Sequence, residues 1–178
     1  MRIAIILSGV VLVLALLYAV VNNISIKNKN NLSNTFMKIE SSAFTPRSTI
    51  PKKYTCDGKN ISPPLMFSGI PKEAKSLALI MDDPDAPGGT WVHWVLWNIP
   101  AKTSIEENAV PGMQGLNDFK RQSYGGPCPP SGMHRYFFKV YALNATLYLG
   151  RNSKKEDLEK AMQNHILAKG ELIGLYGK

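Results

Sequence analysis

The sequence predicts a mainly β domain with one helix near its carboxy terminus, preceded by an amino-terminal hydrophobic helix. Three observations carry that prediction. Short apolar runs of strand character stand at residues 77–81, 92–99 and 136–143, each bounded by turn-forming residues. Connections rich in Pro and Gly separate them, which breaks any long helix. A single segment, from Ser153 onward, sets apolar residues at helical spacing.

The first element is the apolar run 3–21, interrupted mildly by Ser8, Gly9 and Tyr18. As a helix it would extend about 28 Å at roughly 1.5 Å per residue, close to a bilayer core of about 30 Å. A cleaved signal has a shorter apolar region of about 7–15 residues and a small residue at its cleavage site. Ala19-Val20-Val21 fits that poorly, so a transmembrane anchor over 1–21 is preferred to a removed signal segment. Arg2 before the span nearly balances Lys27 and Lys29 after it. The short basic end is expected in the cytoplasm, which exports the domain to a periplasmic or extracellular side. Secretion after signal cleavage is the alternative. Residues 22–35, rich in Asn, Ser and Lys, read as a polar linker, and 36–178 has the length of one folded domain.

Within that domain, Leu77-Ala78-Leu79-Ile80-Met81 has the unbroken apolar character of a buried strand. The run 92–99 is apolar on both alternating faces, which suits a strand in the middle of a sandwich. The third run, 136–143, is rich in aromatic and β-branched residues. Ser153 is expected to cap the helix, with Glu156 three residues on as its capping box. Leu158, Met162, His165 and Ile166 continue at helical spacing, and Gly170 offers a stop. His165 is assigned no functional role. A last short strand is expected over 172–176.

Net charge is +8, and Arg2, Lys27, Lys29 and Lys38 supply half of it before any acid occurs. Such a mild excess favours proximity to anionic lipid. No Lys/Arg cluster of the kind nucleic acid requires is present. The two cysteines, Cys56 and Cys128, match no zinc-ligand spacing. A disulfide closing a long loop and two buried free thiols are both open readings.

The chemistry-bearing residues cluster in two strand-plus-turn units. On a strand, alternate residues share a face, so His134 and Tyr136 point together and Arg135 points away, toward a structural ion pair. An imidazole beside a phenol suits phosphate or carboxylate oxygens. His93 stands on another strand, next to a turn that carries Asp83 and Asp85, stiffened by Pro84. A carboxylate bonded to an imidazole favours its charged form. Two acids therefore do not forbid an anion, given protonated histidines and inward loop amides. The acids equally suit an ammonium group, so a zwitterion matches the mixed lining.

The motifs Asp83-Pro84-Asp85-Ala86-Pro87, Trp91-x-His93-Trp94 and Gly126-Pro127-Cys128-Pro129-Pro130-x-Gly132-x-His134-Arg135-Tyr136 resemble those of the phosphatidylethanolamine-binding protein family. Asp57-Gly58-x-Asn60-x-Ser62-Pro63-Pro64-Leu65 and the closing helix resemble its bacterial, Raf-kinase-inhibitor-like branch. The likeness covers residues 37–178. It implies a β-sandwich with a shallow pocket for phosphate-like anions and phospholipid head groups. Carried onto this chain, the pocket residues are Asp83, Asp85, His93, Pro129, His134 and Tyr136. Eukaryotic relatives often have a second histidine where this chain has Val92. The eukaryotic carboxy-terminal extension is absent, so kinase regulation is not expected.

The leading expectation is a non-catalytic binding module for a small anionic or zwitterionic ligand, with no cofactor, no metal and no catalytic residue. A second class is a protein-interaction module, inhibiting a protease or modulating a signalling enzyme through the loops at Gly88-Gly89 and 125–132. A third is an enzyme, either a hydrolase or a metal-dependent one, built on the Asp/His cluster. No Gly-x-Ser-x-Gly elbow or His-Glu-x-x-His helix marks it.

Overall fold

Each apolar run lies inside a strand longer than itself. The computed structural model describes residues 16–22, 35–102 and 104–178. In chain order the strands are β1 Thr35–Phe36, β2 Lys38–Glu40, β3 Leu65–Ser68, β4 Ser76–Asp83, β5 Trp91–Ile99, β6 Ser104–Ile105, β7 Met113–Gln114, β8 Met133–Leu143 and β9 Ile166–Gly177, with helix α1 at Lys155–Met162 between β8 and β9. A six-stranded sheet runs β1-β9-β8-β4-β5-β7 and a three-stranded sheet runs β2-β3-β6. Within these sheets β1 pairs parallel to β9, and the other pairs are antiparallel.

β4 sits at the centre of the large sheet and is buried along its whole length, which explains its unbroken apolar sequence. Leu77, Leu79 and Met81 face one core with Ile39, Leu65, Phe67 and Ile105 of the small sheet. Ala78 and Ile80 face the other core with Leu158 and Met162 of α1. The large sheet is thus covered on both faces, by a sheet and by a helix. Each fully buried side chain of this size contributes about 1.5–3 kcal/mol.

Several expectations about the carboxy-terminal region are corrected. α1 starts after Lys154, whose amide donates to Asp157 Oδ2 at 2.9 Å, so Ser153 and Glu156 do not form the cap. The helix also ends at Met162 rather than running on through Ile166. His165 lies in the following turn, bonded through Nδ1 to Asn144 Oδ1 at 2.8 Å. Ile166 instead opens β9, which pairs with β8 from Leu143↔Ile166 to Met133↔Gly177. The free edge of β8 satisfies a full strand of backbone groups, and that outweighs the local helical spacing. Gly170 is a paired strand residue opposite Val140, not a stop.

Contacts divide the chain into Met1–Asn34 and Thr35–Lys178, so Thr35, expected in the linker, belongs to β1. In the first unit, residues 16–22 are helical with exposed side chains. The rest of the anchor and linker expected over 1–35 falls outside the described residues, Thr35 apart. Among the described residues no helix is long and apolar enough to cross a membrane.

Candidate functional site

The site is built at the end of the large sheet where β4, β5 and β8 finish or begin. Asp83 is the last residue of β4, and β8 brings Tyr136 and His134 alongside it on one face. His134 Nδ1 stands 2.7 Å from Asp83 Oδ2, and both side chains are buried. The carboxylate–imidazole pair therefore forms across β4 and β8. Asp83 Oδ1 also accepts the amide of Asp85 at 2.8 Å, an Asx turn that fixes the loop through Pro84.

His93 reaches the same face through an irregularity that its sequence does not announce. Along β4–β5, Met81 opposes Trp94 while Asp82 opposes Val92. His93 is the extra residue of a β-bulge, which re-aims a side chain and twists the strand. Val92 consequently joins the helix-side core and Trp94 the opposite one. The His93 ring meets the Tyr136 ring edge-on, with centroids 5.2 Å apart, and the Phe119 ring at 5.4 Å. Its Nδ1 lies 2.7 Å from the carbonyl oxygen of Gly125. Its own carbonyl accepts from Gly125 N at 3.1 Å and from Asn117 Nδ2 at 3.1 Å.

Tyr136 is buried, and its hydroxyl has no hydrogen-bond partner among the described residues. Burial, seconded by the nearby Asp83 charge, pushes its phenol pKa up, so the hydroxyl keeps its hydrogen. A buried hydroxyl left unpaired costs roughly 1–3 kcal/mol, so this one, close to Asp83 and Cys128, is a donor that water or a bound molecule would satisfy.

Of the six residues expected in the pocket, Asp83, His93, His134 and Tyr136 come together. Asp85 is otherwise engaged. Arg135, pointing away from His134 as alternation requires, grips it through Nε at 2.8 Å and Nη2 at 2.6 Å. That guanidinium holds the Asp85 pKa down at about 2. Pro129 is buried next to Cys128, which is disulfide-bonded to Cys56 with Cα atoms 5.4 Å apart. Cys56 N further donates to Pro127 O at 3.1 Å. Gly126 lies against Tyr54 and Asn60 so closely that an added Cβ would sit 2.5 Å from the Tyr54 carbonyl oxygen. The 125–132 segment is therefore clamped against the cluster.

One electrostatic expectation is corrected. Burial holds the His93 pKa below its ordinary value, against the opposing pull of the Gly125 carbonyl and Asp83. At neutral pH His93 is uncharged rather than cationic.

The residues that sequence reasoning missed are supporting ones. Phe119 edges His93 and Trp91, and buried Asn117 also holds Ser123 O and accepts from Arg121 N. Tyr176, opposite His134 on β9, donates to Asp57 Oδ2 at 2.7 Å. None lies in a periodic pattern, and the Asp57-Gly58-x-Asn60 motif alone hinted at them. Among the described residues no three His, Cys, Asp or Glu side chains gather as a metal ion requires.

Residues 40–177 match the family described as phosphatidylethanolamine-binding protein. A UPF0098 protein of Methanothermobacter thermautotrophicus is 54% identical over 149 residues, covering 79% of this chain and 98% of its own. A UPF0098 protein of Chlamydia trachomatis serovar D is 46% identical over 149 residues, covering 80% and 99%. Among solved structures, a phosphatidylethanolamine-binding protein homologue from Chlamydia trachomatis has a TM-score of 0.78 and 44% identity, over 82% of this chain and 99% of that one. YbcL of E. coli, described as a new member of the mammalian family, has a TM-score of 0.75 and 32% identity, over 80% and 98%.

Proposed function

The chain belongs to the phosphatidylethanolamine-binding protein family, and on that footing we propose that its β domain binds a small anionic or zwitterionic ligand without transforming it. Phosphate and phosphorylethanolamine are the chemical types. The observation that carries this reading is the unpartnered, buried Tyr136 hydroxyl beside Asp83, His93 and His134. An oxyanion oxygen accepts from that hydroxyl, and an ammonium group donates to Asp83. Tyr136→Phe removes the hydroxyl and keeps the ring. It is expected to lower phosphorylethanolamine affinity by about tenfold, the worth of one such bond, while leaving thermal stability unreduced. Isothermal titration beside a thermal melt checks both. Unchanged affinity in Tyr136→Phe and in His134→Ala removes the proposed pocket.

The apolar run 3–21 serves in this reading as a membrane anchor, with the domain exported. The Cys56–Cys128 disulfide supports an oxidising compartment.

A further inference from the structure

The disulfide has surroundings that a purely structural crosslink does not need. It joins Cys56, which is half-buried, to Cys128, which is exposed. Pro127 and Pro129 on either side of Cys128 are buried, and Cys56 N donates to Pro127 O at 3.1 Å. The backbone is thus anchored while the cysteine between the prolines meets solvent.

Lys178 stands beside both sulfurs. Its Nζ lies 3.8 Å from Cys56 Sγ and 3.9 Å from Cys128 Sγ, at exposed positions. Three contacts hold it there. Its amide donates to Gly132 O at 3.2 Å and its carbonyl accepts from Gly132 N at 2.9 Å, in the segment that carries Cys128. Its Nζ is also 3.5 Å from Asp57 Oδ1, a carboxylate steadied by the Tyr176 hydroxyl at 2.7 Å. Asp57 offsets part of the ammonium charge, but Lys52 acts on the same carboxylate, so two cations stand against one acid. A disulfide sulfur is uncharged, so the ammonium gains little from the intact bond. It gains when the bond opens, because one sulfur then departs as a thiolate.

We propose that Cys56–Cys128 is an exchange-active disulfide, opened on the folded domain by a dithiol that attacks Cys128 Sγ while Lys178 stabilises the departing Cys56 thiolate. The attacking thiolate bonds to Cys128 Sγ, the bond between the two cysteine sulfurs breaks, and its electron pair stays on Cys56. The second thiol of the reductant, once deprotonated, attacks the reductant sulfur of the mixed disulfide and releases Cys128 as a thiolate. The reductant leaves as a disulfide, and the domain has gained two electrons and, on protonation of both thiolates, two protons. The partner this chemistry fits is a protein dithiol of the Cys-x-x-Cys kind. Exposure directs the attack to Cys128, since Lys178 is nearly equidistant from the two sulfurs. The proposal needs nothing from the ligand-binding reading.

The test uses the full chain with its disulfide intact, in a nonionic detergent. Reduction by increasing dithiothreitol is followed at neutral pH and low ionic strength, for the wild type, Lys178→Gln and Lys178→Arg, and the unfolding rate is measured separately. The rate is expected to rise in proportion to dithiothreitol and to exceed the unfolding rate. Lys178→Gln is expected to slow it at least about fivefold, as loss of a charge at this distance does even in water. Lys178→Arg keeps the charge and is expected to keep most of the rate, and salt near about 1 M narrows the gap. Thermal melts of the oxidised variants separate a charge effect from a loosened fold. Glutathione, followed by acid quenching, alkylation and peptide mapping, is expected to label Cys128 and leave Cys56 to the alkylating agent. A rate that levels off at the unfolding rate overturns the proposal and makes the bond a structural staple. Equal rates in the wild type and Lys178→Gln overturn it too, and glutathione found mainly on Cys56 overturns the direction of attack.

Discussion

At His93 two opposing effects act on one imidazole, and their balance sets its charge. Asp83 and Asp82 favour the cation, while burial to 2% exposure disfavours it more strongly. The sequence displays the acids and hides the burial, which depends on a bulge and on Phe119 closing over the ring. The sign of the resulting pH effect is definite. A histidine whose folded pKa lies below its unfolded value of 6.5 binds fewer protons when folded, so stability rises with pH through the interval between the two. Its contribution is fully present above pH 6.5 and is lost as pH falls through the depressed folded value. Urea midpoints of the wild type and of His93→Gln, compared from about pH 7.5 to about pH 5, measure this. The wild type is expected to lose stability relative to the variant on acidification. Parallel profiles would show that the ring does not titrate in this way.

At the scale of elements, legibility followed hydrophobic pattern. β4, β5 and β8 were readable because burial on one or both faces leaves a run that turn residues bound. β9 is legible only over 172–176 because its first residues continue the helical spacing of α1, and the edge of β8 that claims them is distant in sequence. The same limit applied to the site. Alternation placed His134 with Tyr136 and Arg135 opposite, whereas the bulge that aims His93 exists only in the β4–β5 register. An ion cluster joining three elements was equally invisible. Asp82 of β4, fully buried, accepts Lys139 Nζ of β8 at 2.7 Å and Lys155 Nζ of α1 at 2.9 Å, linking the helix to the sheet. Removing a buried carboxylate leaves its cationic partners uncompensated. Asp82→Asn is expected to cost about 3 kcal/mol, the low end of the usual range because both lysines keep some exposure. Guanidinium unfolding gives the value, and a loss below about 0.5 kcal/mol, typical of a surface substitution, would make the cluster incidental.

For the molecule as a whole, the disulfide connects stability with the site. Cys56 and Cys128 are 72 residues apart in sequence, and between them run β3 to β7, including the central β4 and β5. Closing a loop of that length constrains the unfolded chain by about 4 kcal/mol in the chain-entropy description. The same bond fastens the turn holding Tyr54 and Asp57 to the segment holding Gly125 and Pro129, one of which fixes the His93 tautomer. Lys178 closes the arrangement from the far end of the chain, its Nζ 3.5 Å from Asp57 Oδ1 and within 3.9 Å of both sulfurs. Replacing both cysteines by serine is therefore expected to act twice. Stability falls by about 4 kcal/mol, and phosphorylethanolamine affinity falls in protein that is still folded, because the Gly125 carbonyl is no longer held against His93. Denaturation in the presence and absence of a thiol reductant, with titration at a temperature where the reduced protein remains folded, separates the two effects. A large stability loss with unaltered affinity would mean that Asn117 and the bulge alone position the ring, and that the disulfide serves the fold but not the ligand.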